Sequence, residues 1–301
     1  MINFIIPGLY ELNKLNINLL YLLKYRPEFF ENNIKIGAVF GAFHFNIWDG
    51  GRIFHSYKQA SREDIQNLKK LYNDEFQVPM RFVFTNNLLT LEDCYDKFNN
   101  MVLEICHNDL NEIVLTSPIL YDYIKENYPK YKIISSTTKC ITNSEESLQE
   151  ILDDKYYMTC IDYNLNHNWN LLNIIPEDKK DKVEFLVNAI CPSGCQFRKE
   201  HYKLNSVFSL NYGKLYPLPG CNIKFNTLEF TNERNNNITK EEIFNQYAPK
   251  GFTNFKIEGR TLSDYEVGLN YVRYMVKDEY KELVALYLIK DTEELLYKLG
   301  V

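Results

Sequence analysis

The chain has 301 residues, 45% of them apolar and 25% charged, with a net charge of −6. That balance is what a globular protein with a full core requires, and the mixing of acids with bases argues against a broad nucleic-acid-binding surface while leaving room for a pocket that takes one nucleotide. No apolar run approaches the roughly 20 residues that cross a bilayer, and the start "MINFIIPGLYELNK" lacks a basic, then long apolar, secretory pattern; the expectation is a cytoplasmic protein without membrane contact.

Short runs rich in Val, Ile, Phe and Tyr read as strands near 2–6, 34–40, 81–85, 112–116, 131–136, 156–162, 183–188 and 252–258. Amphipathic segments lie between them. "SREDIQNLKKLYNDEF", "TLEDCYDKFNNMVLEIC" and "SEESLQEILDD" each open on a Ser/Thr followed by an acid, a helix-start pattern, and "SPILYDYIKENYP" places Pro at a first helical position. Eight strands each followed by helical sequence predict an α/β fold, a (β/α)8 TIM-barrel-like domain spanning 1–301. An open doubly wound sheet is the competing architecture, but no glycine-rich dinucleotide fingerprint follows the first strand. Residues 203–250 read as a long insertion before the last strand, and "EYKELVALYLIKDTEELLYKL" as a helical tail packed outside the barrel.

In such a barrel the chemistry sits where strands end, and these ends are unusually polar. The second supplies His44, Asn46, Asp49 and Arg52; the sixth supplies Asp162, Asn164 and Asn166 on alternate positions, which face one way if the segment is extended. The seventh supplies Asn188, Cys191, Cys195, Arg198 and His201, and the eighth Lys256, Glu258 and Arg260. Such groups either pair with one another or contact a ligand, because burying them unpaired is costly. For Lys256, Glu258 and Arg260 an internal ion-pair network that closes the barrel stands beside a substrate-binding role. His44 reads as a hydrogen-bonded loop histidine, and His201 as a group that orients a neighbour.

There are seven cysteines, an odd number and a poor disulfide framework. Cys94 and Cys106 read as core packing. Cys191 and Cys195, flanked by Pro192 and Gly194, can wrap a loop around a metal centre; Cys221 follows beside another Pro and Gly, and Cys160 shares its parity with Asp162. Zinc and an iron–sulfur cluster use the same donors, and the alternative is a packed loop with incidental thiols.

The stretches "VFGAFHFNIWDGGR", "DYNLNHNWNLL", "VNAICPSGCQFRKEHY", Cys221 and "ITKEEIFNQYAPKGFTNFKIEGR" together resemble the collagenase-like peptidases of unknown catalytic type, family thirty-two. The likeness is fullest over 156–275. It implies a TIM-barrel-like catalytic domain and, as in relatives that assist ubiquinone hydroxylation or hydroxylate RNA, a 4Fe–4S cluster. Cys191, Cys195 and Cys221 match the cluster-type cysteines, and Cys160 is a candidate fourth ligand by position. The chain has no "HGALC"-like motif and no long carboxy-terminal extension of the kind larger members carry.

The expectation is therefore a cluster-dependent enzyme that modifies a small molecule, an RNA nucleotide or a peptide, with a partner chain completing the site in some relatives. Asn164, Arg198 and His201 are placed near the cluster and Glu258 and Arg260 across the cavity as substrate-binding groups, with Glu258, Arg260, His201 and Asp162 as the candidate catalytic residues. A peptidase with zinc on the same thiols and Glu258 as base is the alternative. A non-catalytic, zinc-stabilised partner protein is the third.

Overall fold

A computed structural model describes residues 1–51, 59–212, 236–259 and 262–289. Eight strands form one closed, all-parallel barrel in sequence order: β1 (Ile2–Pro7), β2 (Ile34–Gly41), β3 (Met80–Phe84), β4 (Glu112–Leu115), β5 (Lys132–Ser135), β6 (Met158–Cys160), β7 (Val183–Leu186) and β8 (Asn254–Lys256). The ring closes where Phe4 of β1 pairs with Phe255 of β8. All eight predicted strands are present, several with trimmed ends. β6 stops at Cys160 rather than 162 because Asp162 turns its side chain onto the Asn164 amide and opens a 3-10 turn over Tyr163–Leu165.

The helices follow from their caps. α1 (Asn13–Tyr25) follows β1, and α2 (Arg62–Lys69) opens with a reciprocal Ser61–Asp64 capping box. The predicted helix over 90–106 is split: a 3-10 turn spans Glu92–Tyr95, and Asp96, with φ −54° and ψ 123°, leaves helical geometry to cap α3 (Lys97–Cys106) through the Asn99 amide. α4 (Pro118–Asn127) has Ser117 as cap and Pro118 at its first position. α5 (Ser144–Leu152) is capped by Asn143, one residue ahead of the expected serine. A short α6 (Trp169–Leu172) precedes β7.

The segment between β7 and β8 departs from a plain barrel repeat. α7 (Arg198–Leu210) begins against the loops after β5 and β6, where Arg198 bonds to Thr137 and Asp162. At Ser206 it reaches the loop after β3: the Asn86 amide donates to the Ser206 carbonyl at 3.2 Å, and the Ser206 hydroxyl meets Asn87 at 3.3 Å. Eight residues of helix span about 12 Å, so α7 lies across the C-terminal mouth. The outer position between β7 and β8 is filled instead by the last residues of the predicted insertion, where Tyr247 packs on Phe185 with centroids 5.0 Å apart and its hydroxyl donates to the Asn166 carbonyl at 2.6 Å. α8 (Lys240–Glu242), α9 (Asp264–Met275) and α10 (Lys281–Ile289) complete the described helices.

Two apolar layers hold the barrel. Outward residues such as Phe4, Val39, Phe82, Ile113, Phe185 and Phe255 pack under the helices in one large cluster. Inward residues such as Ile5, Phe40, Val83, Val114 and Ile134 form a separate core inside the bore. Each such side chain contributes about 1.5–3 kcal/mol on burial.

The rest of the bore is ionic. Arg81 of β3 reaches Glu112 of β4 at 2.7 Å and crosses the barrel to Glu184 of β7. Lys256 of β8 sits 3.6 Å from Glu184 and 4.1 Å from the centre of the Phe40 ring. An ion-pair network does fill the bore, but of the expected trio only Lys256 joins it, through Glu184, and its other members are Arg81 and Glu112; Glu258 accepts from the Ile190 amide instead, and Arg260 lies outside the described residues. Among the described residues no helix is long and apolar enough to cross a membrane.

Candidate functional site at the barrel mouth

The polar residues after β6 and β8 converge on the loop after β7, whereas Asn46 and Asp49 after β2 bond to the Trp48 and Gly51 amides of their own loop. After β7, residues 188–195 carry both Cys191 and Cys195, and neighbouring strand ends grip their backbone. The Ile190 amide donates to Glu258 Oε2 at 2.9 Å. Asn188 and Glu258 exchange side chain for backbone: Asn188 Nδ2 donates to the Glu258 carbonyl at 3.0 Å, and the Glu258 amide donates to Asn188 Oδ1 at 2.6 Å. Asn236 Nδ2 donates to the Cys191 carbonyl at 3.2 Å. Asn164 Oδ1 accepts from the Gly194 amide at 3.0 Å and the Ser193 hydroxyl at 3.2 Å. Gly194 turns the loop at φ 69°, the left-handed region where glycine is at ease.

Beneath this loop lies a buried ion pair. Arg198, 4% exposed, closes a fork on Asp162, with NH1 3.2 Å from Oδ1 and NH2 on Oδ2. Its Nε donates to Cys140 Sγ at 3.1 Å, and NH2 also donates to the Thr137 carbonyl at 3.1 Å. The guanidinium stacks 4.4 Å from the Tyr163 ring centre. Arg198 therefore locks the start of α7 to two strand-end loops.

The expected alternation of Asp162, Asn164 and Asn166 on one face does not hold, because the segment is a 3-10 turn rather than extended. Asn164 folds back, donating to Asp162 Oδ1 at 2.8 Å. Asn166 turns the other way, to the Leu186 carbonyl at 2.9 Å and the Asn236 carbonyl at 2.6 Å.

Cys191 packs against Tyr163, Leu186 and Ala189. Cys195 borders a cleft of about 400 Å³ with Cys140, Asn164, Gly194, Arg198 and Lys199. Cys160 is elsewhere: it is 3% exposed inside the bore, where burial, and then the Glu184 carboxylate, push its thiol up. Among the described residues no three His, Cys, Asp or Glu side chains cluster as a metal site. His201 is half-buried on α7. His44 is buried with its ring edge-on to Tyr10, and desolvation lowers its pKa. Cys221, Arg260 and Arg52 lie outside the described residues.

Sequence reasoning missed Cys140 and Tyr163. Cys140 sits at φ 55° after a 3-10 turn at the end of β5, and burial raises its thiol pKa against the opposing pull of Arg198. Its signal was available: "TTKC" directly follows a predicted strand, the same position that drew attention to Asp162.

No protein-family model matches the chain, and no curated protein matches it. The solved structure of the U32 peptidase Mk0906 is similar to it, with a TM-score of 0.51 at 12% sequence identity, over 85% of this chain and 90% of that one. What the two share is the fold. The polar mouth described above is read from this chain alone.

Proposed function

We propose that the chain belongs with the collagenase-like U32 peptidase barrels and carries an iron–sulfur centre at the mouth, used in hydroxylation-type modification of a small molecule, an RNA nucleotide or a peptide. The observation that carries this reading is the loop 188–195. Its backbone is held by Glu258, Asn236 and Asn164, and its two thiols are half-buried, while the other four described cysteines are buried. A thiol kept for packing belongs in the core; a thiol that holds a group at a rim needs access.

The donors suit such a group, since cysteine thiolates are the usual ligands of iron–sulfur clusters. Tyr163, its ring under the Arg198 guanidinium, stands in the cluster against which Cys191 packs. Cys191 and Cys195 would hold the centre, with Cys221 as the third sulfur by resemblance. Bound there, the cluster supplies redox-active iron. The chain's own groups set its surroundings: Asn164 and Glu258 fix the loop, the Arg198–Asp162 pair fixes α7, and α7 screens the mouth from water. Cys160 is no part of this set, since its neighbours are the ion pairs of the bore.

Purification without air tests the reading. Iron, sulfide and visible absorption are expected in the native protein, and are expected to be lost together in Cys191→Ala and Cys195→Ala but kept in Cys160→Ala. A colourless, iron-free protein after anaerobic reconstitution rules the cluster out.

A second reading, a hydrolase with zinc on the same thiols and Glu258 as base, is favoured by the name of the structurally similar peptidase. It requires Glu258, 7% exposed and accepting from the Ile190 amide, to be released for water activation. One zinc per chain, with peptide cleavage that survives removal of iron, would establish it.

A further inference from the structure

Two polar side chains near the end of β2 are more than nine-tenths buried and keep hydrogen-bonding capacity that the fold does not use. Lys256, at the end of β8, is 7% exposed. Its ammonium lies 3.6 Å from Glu184, too far for a hydrogen bond, and 4.1 Å from the centre of the Phe40 ring of β2. Among the described residues it donates no hydrogen bond, so its N–H groups stay unfilled. Asn205 of α7 is 8% exposed, and its side-chain amide likewise has no partner among the described residues. It stands seven positions after Arg198, hence on the same helix face. That face is turned to the strand ends, because Arg198 bonds to Thr137 and Asp162 there. The next residue, Ser206, lies against Gly50 in the loop after β2, where an added Cβ would stand 2.4 Å from its hydroxyl. The ammonium thus approaches the end of β2 from the bore, and the amide approaches it from the helix above.

Buried polar groups are ordinarily paired, and leaving one bare is costly. Charge decides what could fill these two. Inside the bore Arg81 and Lys256 balance Glu112 and Glu184, two against two, so an added anion would face Glu184 without compensation. A neutral oxygen acceptor fits the ammonium, and the asparagine amide offers both a donor and an acceptor to a polar edge. We infer that the mouth beneath α7 binds a small uncharged molecule of amide type, its carbonyl oxygen accepting from Lys256 and its polar edge pairing with Asn205. The inference is independent of the iron–sulfur reading, because neither residue belongs to the loop 188–195.

The test titrates the native protein with acetamide and, separately, with acetate, a probe of nearly the same size that carries a charge. The side-chain amide signals of Asn205 in proton–nitrogen NMR spectra, assigned by their loss in Asn205→Leu, give the readout. Acetamide is expected to move them along a saturating curve and acetate is not. Lys256→Met, which keeps the stem and removes the ammonium, is expected to weaken acetamide binding roughly tenfold or more, the scale of a hydrogen bond to a charged group. No saturating shift with acetamide overturns the inference, as does an acetamide curve unchanged in Lys256→Met. A saturating shift with acetate alone means that the site takes an anion, and overturns it too. Thermal melting gives an arm that needs no ligand. Asn205→Leu exchanges an amide without a partner for an apolar group of similar size, so the midpoint is expected to stay or rise; a clear fall would mean that the amide is already paired inside the chain, and would overturn the inference. None of these readouts depends on iron, so the cluster reading stands or falls separately.

Discussion

Arg198 shows how much of the mouth depends on one side chain. Its hydrogens go to Asp162, Cys140 and Thr137, joining the ends of β5 and β6 to the start of α7. Removing it leaves the Asp162 carboxylate buried without a cation, so Arg198→Ala is expected to cost about 3–5 kcal/mol, read from urea unfolding. Arg198→Lys keeps the charge but not the planar fork, and a single ammonium cannot reach all three acceptors in this geometry; it is expected to recover only part of the loss. Asn164→Ala removes the acceptor of the Gly194 amide and the Ser193 hydroxyl. A loss of about 1 kcal/mol is expected, with faster hydrogen exchange at Gly194 while the barrel strands keep their protection. These residues were visible in the sequence as polar positions at strand ends. Their partners were not, because Arg198 lies 36 residues from Asp162 and 58 from Cys140, and separation along the chain carries no sign of contact. Parity failed at 162–166 for a local reason: an aspartate able to cap the next turn ended the extended segment.

Among the elements, α7 is the one that sequence periodicity placed least well. Strands were legible because a parallel barrel buries both faces, so their Val, Ile and Phe form near-continuous runs. A helix laid across the mouth has no comparable signature: its buried positions are Arg198, Tyr202, Asn205 and Ser206 rather than a leucine stripe. Its seat depends on Gly50. A Cβ there would stand 2.4 Å from Ser206 Oγ and 2.6 Å from the Thr85 carbonyl oxygen. Gly50→Ala is therefore expected to cost about 1–3 kcal/mol by overpacking and to raise hydrogen exchange along 198–210. Adding Ser206→Ala relieves the first clash and not the second, because Thr85 contributes backbone. The double variant should recover part of the stability, and full recovery would mean that only the hydroxyl is in the way.

At the scale of the whole molecule, the barrel is closed twice, by β1 pairing with β8 and by Arg81 reaching across the bore to Glu184. Neither charge declares its partner in "MRFVF" or "VEFL", since one charge within an apolar run resembles a solvent-facing residue of a strand with a wet side. In a barrel there is no wet side, so an inward charge must find its counter-ion inside the bore. Burial by itself raises the Glu184 carboxyl, but Arg81 and Lys256 outweigh it, and its pKa falls below the ordinary value of 4.5. A carboxylate with a lowered folded-state pKa contributes stability that is complete above its unfolded value and is lost as pH falls through the folded one. The native protein is thus expected to hold its full stability down to roughly pH 4.5 and then weaken as Glu184 takes up a proton. Glu184→Gln should be less stable at neutral pH, because Arg81 and Lys256 lose a shared counter-ion, and should show a shallower decline below that pH. Urea unfolding across pH 3 to 7 reads both features. Parallel slopes for the two proteins would mean that Glu184 is already neutral in the folded barrel, and that Arg81 is balanced by Glu112 alone.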